Sequence, residues 1–277
     1  MIGKAHAKRL ARALGILNRV VEVRVRAREL VSPPFFRNLK YRLRGAPDGL
    51  PIPTGHLIYL VIGSSDISAF LKSGEAHAQK VILGTLQGSG LRMEDFENVL
   101  DFGCGCGRIV RHWARLGVGN LCGTDYNANL VSWCRRNLPF ASFEVNGLRP
   151  PLSYDSDSFD LVYARSVFTH LSEPLQLEWF RELRRILRPD GLLLFTVSGR
   201  AYHQWITPAE RALVDAGKLV VREANQAGDN MCAVFHPETW VRETMIENGF
   251  TVLDAVPGQA AEFLYQDTYL VRKRSSP

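Results

Sequence analysis

The sequence contains no run of eighteen apolar residues, which excludes a membrane-spanning helix. Cysteine is scarce: Cys104, Cys106, Cys122, Cys134 and Cys232 are all there are. Their number is odd and two sit in one glycine-rich stretch. That is a poor disulfide framework, and a reducing compartment is expected. The start, MIGKAHAKRL, lacks the apolar core and small-residue cleavage site of a secretory signal. A cytoplasmic location is therefore expected. Internal repeats and low-complexity tracts are absent too. What remains is 277 residues of ordinary globular composition, 46% hydrophobic and 22% charged, which excludes wholesale disorder. The length suits one large α/β domain or two small ones.

Acidic residues are rare at one end. Residues 1–45 hold twelve Lys/Arg against two Glu, a balance of +10, whereas the rest of the chain carries −4. Such a segment can meet phosphate on nucleic acid, lipid or substrate. It can equally be a solvated arm packing on the body or on a second copy. Leu10, Leu14, Leu17, Val21 and Val25 recur at helical spacing between arginines. This predicts an amphipathic helix over 4–30, through which a homo-oligomer could form, although Val21 to Ala27 also alternates apolar and charged, so the second half could be a strand. Ser32-Pro33-Pro34 ends it. Residues 35–65 read as a loop with one extended piece, Leu57–Ile62. A helix is predicted from Ile67 to Leu86, with Phe70, Leu71, Val81 and Leu86 as candidate buried positions.

From residue 97 short apolar runs alternate with helical stretches, the pattern of a parallel sheet with crossover helices. Strands are predicted at 98–101, 120–124, 142–145, 159–164, 192–197, 251–255 and 263–271. Helices are predicted at 107–116, 127–137, 173–187 and 237–248. Pro189-Asp190-Gly191 reads as a turn feeding a strand. Residues 199–236 interrupt the alternation with a helix near 208–216 and two short extended runs, which reads as an insertion over one end of the sheet.

The strongest chemical signal is Val99-Leu100-Asp101-Phe102-Gly103-Cys104-Gly105-Cys106-Gly107-Arg108. Glycines let a backbone turn tightly against a ligand, and a following helix offers its N-terminal amides. The dinucleotide fingerprint Gly-x-Gly-x-x-Gly fails at Arg108, and no phosphate loop ending Gly-Lys-Ser/Thr is present. Asp101, at the first strand's end, suits an ammonium group better than a phosphate. Asp125, at the second, suits a ribose diol. The ligand implied has a ribose, a positive amino-acid end and no phosphate, three conditions that S-adenosylmethionine meets.

With Asn146-Gly147-Leu148, Ser158-Phe159-Asp160-Leu161-Val162-Tyr163-Ala164, Ser166-Val167-Phe168-Thr169-His170-Leu171 and Leu187-Arg188-Pro189-Asp190-Gly191-Leu192-Leu193, residues 97–198 resemble the class I, Rossmann-like S-adenosylmethionine-dependent methyltransferases. The resemblance implies an α/β fold: a seven-stranded, mostly parallel sheet with helices on both faces and an antiparallel last strand. It leaves residues 1–96 as a basic N-terminal extension and helical cap. Residues 97–277 become a methyltransferase domain with a lid-like insertion at 199–236; extension and insertion are expected to roof the acceptor site.

The resemblance also implies roles. Asp101 with the backbone of Gly103, Gly105 and Gly107 would hold the methionine end, and Asp125 the ribose. Tyr126 would stack near the adenine, Asn146 would accept from its amino group, and Gly147 and Leu148 would line it. Ala164, Arg165 and Ser166 would border the transferred methyl. His170 is the candidate general base, or else a residue bracing the cofactor loop; His77, His203 and His236 are further candidates.

A C-x-C pair without a second pair argues against a metal site. Ala164-Arg165-Ser166-Val167 stands where enzymes acting on exocyclic amines of nucleic acids carry Asn/Asp-Pro-Pro-Tyr/Phe, so no nucleic acid is expected as partner. Tyr59, Phe70, Tyr202 and Trp205 could form an apolar acceptor pocket, or plain core and lid packing. The expected function is methyl transfer to a small organic acceptor, oxygen favoured. A lipid, isoprenoid or other phosphate-bearing acceptor, or a non-catalytic scaffold keeping the fold, is the alternative.

Overall fold

The computed structural model describes residues 34–226, 228, 231–259 and 263–275. The helix expected over 4–30, and the self-association proposed for it, lie outside these residues. The chain divides into two compact units, residues 1–73 and 74–277; the sequence reading draws its boundary at 96/97.

In the first unit the described elements are α1 (Pro34–Arg44), α2 (Gly55–Ile62) and the start of α3 (Ile67–Ala76). Asn38 joins two of them: its Nδ2 donates to Ser65 O and its Oδ1 accepts from Ile67 N, both at 2.9 Å. The extended piece expected at Leu57–Ile62 is instead helical. A short apolar run has no period with which to choose between strand and helix. The flanks decide: extended Thr54 starts the helix, and left-handed Gly63 (φ 69°) closes it by donating to Tyr59 O.

In the second unit the predicted 67–86 helix continues as a π-helical turn, His77–Leu83, then α4 (Gly84–Gly88). The strands are β1 (Asn98–Phe102), β2 (Asn120–Asp125), β3 (Ser142–Val145), β4 (Phe159–Ala164) and β5 (Leu187–Val197). Helix α5 (Ala128–Asn137) joins β2 to β3, and α6 (Glu173–Ile186) joins β4 to β5. The insertion holds α7 (Pro208–Asp215) and a hairpin of β6 (Val220–Arg222) and β7 (Ala233–Phe235). Helix α8 (Glu238–Glu247), β8 (Phe250–Val256) and β9 (Asp267–Lys273) follow.

The sheet order is β3-β2-β1-β4-β5-β9-β8. Only β9 runs against its neighbours. The chain therefore has the α/β fold of the class I methyltransferases, as the motifs imply. Two local expectations change. Pro189-Asp190-Gly191 lies inside β5, where Asp190 is left-handed (φ 61°) and the β4–β5 register slips between Phe159 and Leu161; it is an irregularity in a strand, not a separate turn. The helix expected at 107–116 is only a 3-10 turn, Val110–Trp113. Gly107, at φ 75°, breaks helical geometry where the helix would start, and Val110, Arg111 and Trp113 are held in the interior.

Strand alternation sorts the two faces. Leu100, Phe102, Val162, Ala164, Leu193, Phe195, Val197, Tyr269 and Val271 face α6 and α8 in one core with Trp179, Phe180, Leu183, Val241 and Met245. Phe168 and Phe180 stack at 4.2 Å, with Phe195 edge-on to both. Each such pair adds about 0.5–1.5 kcal/mol to the burial itself. The residues between these positions, Asp101, Tyr163 and Thr196, fall on the other face. Arg165 and Gln266 continue that parity just beyond β4 and just before β9.

Candidate functional site

The glycine loop turns at the carboxyl end of β1. Gly103 is at φ 81°, and a Cβ there would come within 2.4 Å of Val167 Cγ2; at Gly107 it would come within 2.3 Å of Leu138 Cδ1. Side chains are excluded at both positions by space and by backbone angle. Gly103 N and Cys104 N donate to Thr124 O at 2.8 and 2.9 Å, so the loop folds back on the end of β2. Asp125 completes the clasp. Its Oδ2 accepts from Gly105 N at 2.9 Å and its Oδ1 from Asn127 N at 2.8 Å. Burial raises the Asp125 carboxyl to about 6, against the pull of these two donors. Each carboxylate oxygen keeps a lone pair for a ligand hydroxyl.

Asp101 is 2% exposed, and burial raises it to about 7, opposed by a hydrogen bond from Tyr163 and by the charge of Arg108. Tyr163 also accepts from Trp113 Nε1 at 2.8 Å. Asp101 Oδ2 is buried with no hydrogen-bond partner. Asn146 uses its Nδ2 on Gly147 O at 2.7 Å and leaves its Oδ1 likewise buried and without a partner. An unmet acceptor of this kind costs about 1–3 kcal/mol. One at the end of β1 and one after β3 fit a ligand with an ammonium at one end and an exocyclic amine at the other. Tyr126 is half-exposed and Leu148 41% exposed, both open to a ligand ring. Leu148 O accepts from the core residue Trp179 at 3.0 Å.

Beyond β4, Ser166 is left-handed (φ 61°) and its N–H donates to Thr196 Oγ1 at 3.0 Å. Arg165 is 9% exposed. Its Nη1 donates to Gln266 Oε1 and Ser166 Oγ, and its Nη2 lies 2.8 Å from His77 Nε2. His77 Nε2 is also 2.6 Å from Phe263 O, and its Nδ1 is 2.7 Å from Arg108 Nη1. An Nε2–H tautomer that donates to Phe263 and accepts from Arg108 meets both contacts. Burial first, then Arg165 and Arg108, hold this histidine neutral. Gly74 permits the approach: a Cβ there would lie 2.3 Å from Arg108 O. Burial lowers Arg108 to about 10 and Arg165 to about 9, so both remain charged at neutral pH.

His170 closes the turn after β4. Its Nδ1 is 2.7 Å from Cys232 O, and its own carbonyl accepts from Gly228 N at 2.7 Å, tying that turn to the insertion. Tyr202, Trp205 and Tyr265 meet edge-on, with centroids 5.0–6.4 Å apart. On the α6/α8 face, a cavity of about 630 Å³ opens among Arg200, His203, His236 and Asp267. His236 itself is buried and reaches Gln176 Oε1 at 3.1 Å. Tyr163, Thr196 and Gln266 touch these candidate residues without being among those the motifs assign. Strand parity could have found the first two; nothing local marks Gln266.

Residues 100–195 match the family described as methyltransferase domain. A malonyl-[acyl-carrier protein] O-methyltransferase of Enterobacter lignolyticus is 32% identical over 132 residues, 47% of this chain and 51% of that protein. A ribosomal protein L11 methyltransferase of Cupriavidus metallidurans is 36% identical over 104 residues, 36% of this chain and 31% of that one. The chain thus spans about half or less of the length of these curated relatives. Among solved structures, an S-adenosylmethionine-dependent methyltransferase from Mesorhizobium loti is similar at TM-score 0.54 and 20% identity, covering 69% of this chain and 96% of that one. Magnesium protoporphyrin IX methyltransferase from Synechocystis, with S-adenosylhomocysteine bound, is similar at TM-score 0.52 and 16% identity, covering 75% and 87%.

Residues 100–195 thus match a methyltransferase domain, on the α/β fold that these S-adenosylmethionine-dependent methyltransferase structures share. Among the described residues, no helix is long and apolar enough to cross a membrane.

Proposed function

We propose that the protein transfers a methyl group from S-adenosylmethionine to an oxygen of a small organic acceptor. The observation that carries this is the glycine loop held between two buried strand-end acids, with Asp101 Oδ2 and Asn146 Oδ1 left as unmet acceptors. In this reading Asp101 and the loop backbone take the methionine end and Asp125 the ribose. Asn146, Gly147, Leu148 and Tyr126 take the adenine. The cofactor supplies an electrophilic methyl on a sulfonium. The residues after β4, Ala164, Arg165 and Ser166, aim the acceptor at it, a matter of proximity and alignment. The malonyl-[acyl-carrier protein] O-methyltransferase match favours oxygen over nitrogen. For a hydroxyl acceptor, His170 is the candidate base. The contact of Nδ1 with Cys232 O orients the ring.

Calorimetric titration with S-adenosylmethionine, S-adenosylhomocysteine and nicotinamide dinucleotide tests the cofactor half. The first two are expected to bind and the third is not. Tight dinucleotide binding without a response to S-adenosylhomocysteine would overturn the reading.

A further inference from the structure

Three donors converge on one neutral oxygen. Gln266 Oε1 accepts from Arg165 Nη1, from Ser166 Oγ at 3.0 Å and from Thr196 Oγ1 at 2.6 Å. The arrangement is built, not incidental. Thr196 is oriented by accepting the Ser166 N–H, and Ser166 is held in the left-handed region to deliver both its N–H and its hydroxyl. A guanidinium and two hydroxyls around one point are the donor set for an oxyanion, whereas an amide oxygen carries only a partial charge.

Arg165 itself lacks the partner such a residue wants. It is nine-tenths buried, and its Nε has no hydrogen-bond partner. Its acceptors are all neutral: Gln266, Ser166, Thr196 at 3.4 Å and the Phe263 carbonyl at 3.4 Å. Its Nη2 faces His77 Nε2, which serves Phe263 as a donor. Among the described residues no carboxylate pairs with it, and the charge of a second buried cation, Arg108, bears on it. An unpaired buried charge is expensive. An acceptor bringing an anion here would supply what the fold omits. Tyr202 lies near enough to bias Arg165, and it leads into the Trp205 and Tyr265 rings.

We propose that Arg165, Ser166 and Thr196 form an oxyanion site for the acceptor's carboxylate, borne on an apolar or aromatic body, and that the Gln266 amide fills this site until the acceptor displaces it. The proposal rests on the methyltransferase reading and names its substrate class. The reaction is then esterification of a carboxylate. A carboxylate oxygen forms the new O–C bond while the C–S bond breaks, and that bond's electron pair neutralises the sulfonium. The products are a methyl ester and S-adenosylhomocysteine. No proton moves, so no general base is required.

The test uses the whole chain and two variants. With S-adenosylhomocysteine bound, benzoate, phenylacetate and octanoate are titrated against benzyl alcohol and octylamine. Carboxylates are expected to bind at least tenfold more tightly, and with S-adenosylmethionine to give base-labile methyl esters. Arg165→Gln should remove that preference while S-adenosylhomocysteine affinity stays within about twofold.

Gln266→Glu needs no knowledge of the acceptor. It installs a carboxylate among the three donors, so it should raise Tm by about 4 °C or more and compete with added carboxylates. Its folded-state carboxyl should titrate below the ordinary range. The gain is then present above about pH 4.3, the unfolded value, and lost as pH falls through the folded one. A lowered Tm with unaltered carboxylate binding, or equal binding of neutral and anionic probes, would overturn the oxyanion site alone. Absence of S-adenosylhomocysteine binding to the wild type would overturn the cofactor reading beneath it.

Discussion

Asp125 Oδ2 accepts the Gly105 N–H at 2.9 Å, so the acid assigned to the ribose also fastens the loop assigned to the methionine end. In the proposed site, two halves are thereby coupled through a single carboxylate. Asp125→Ala should therefore loosen the loop as well as remove a ligand contact. Calorimetry is expected to show cofactor affinity reduced by about 1.5–3 kcal/mol, the range for hydrogen bonds to a charged group. Hydrogen exchange in the ligand-free protein should show faster exchange at Gly105. Wild-type affinity in the variant would remove Asp125 from the site.

The raised Asp101 carboxyl gives a pH signature. Unfolded, it titrates near 3.9; folded, at about 7. Between those values the native state holds a proton that the unfolded state has released, so stability falls as pH rises from about 4 to about 7. An ammonium ligand needs the ionised form, so cofactor affinity should rise over the same window. Asp101→Asn is expected to make both curves shallower, leaving the part below about pH 6 that the raised Asp125 carboxyl contributes. Thermal melts and titrations at pH 5, 6, 7 and 8 check this, and an unchanged slope in the variant would assign the effect elsewhere.

His170 separates the two acceptor chemistries. A hydroxyl acceptor needs its proton taken, and His170→Ala should then lower kcat by about 100-fold or more with cofactor affinity unchanged. A carboxylate acceptor does not. The outcome expected here is a loss below about tenfold, a pH profile of unchanged shape, and faster hydrogen exchange at 220–236, where the Cys232 and Gly228 bonds are released.

Gly74→Ala tests the packing that brings His77 to Arg108. The new methyl would sit 2.3 Å from Arg108 O, a backbone atom that cannot swing aside. Overpacking of this kind costs about 1–3 kcal/mol. A lowered midpoint in denaturant at unchanged m-value is expected; wild-type stability would show that the helix slides freely there.

Most of the sheet could be read from sequence because its strands are short apolar runs closed by Gly, Asp or Pro. Ser142–Val145 and Phe159–Ala164 lie where the pattern puts them. Local ambiguity explains the misses before and after the glycine loop. Gly55–Ile62 is apolar all round, and the 3-10 turn at Val110–Trp113 is enforced by tertiary burial of Arg111 and Trp113. The residues proposed for the cofactor, Asp101, Gly103, Gly105, Gly107 and Asp125, fall within one strand–loop–strand stretch of the sequence. The cluster around Arg165 does not. Its members come from the π-helical turn, the ends of β4 and β5 and the start of β9, and no spacing rule joins His77 to Gln266.

The reversed direction of β9 has a consequence for descent as well as for structure. A parallel strand at that place would deliver its start to the far edge of the sheet. Running backwards, β9 brings Tyr265 and Gln266 to the edge where the other strands end. The glycine loop, Asp125 and Asn146 all come from the β1–β3 side, whereas Thr196, Tyr202 and Gln266 come from the β5–β9 side. On the proposed reading, mutation in the stretch leading into β9 would alter which molecule is chosen while the methyl donor's half stays untouched. Divergence among relatives should concentrate there, and grafting residues 257–266 from one relative to another is the shortest route to exchanging their selectivity.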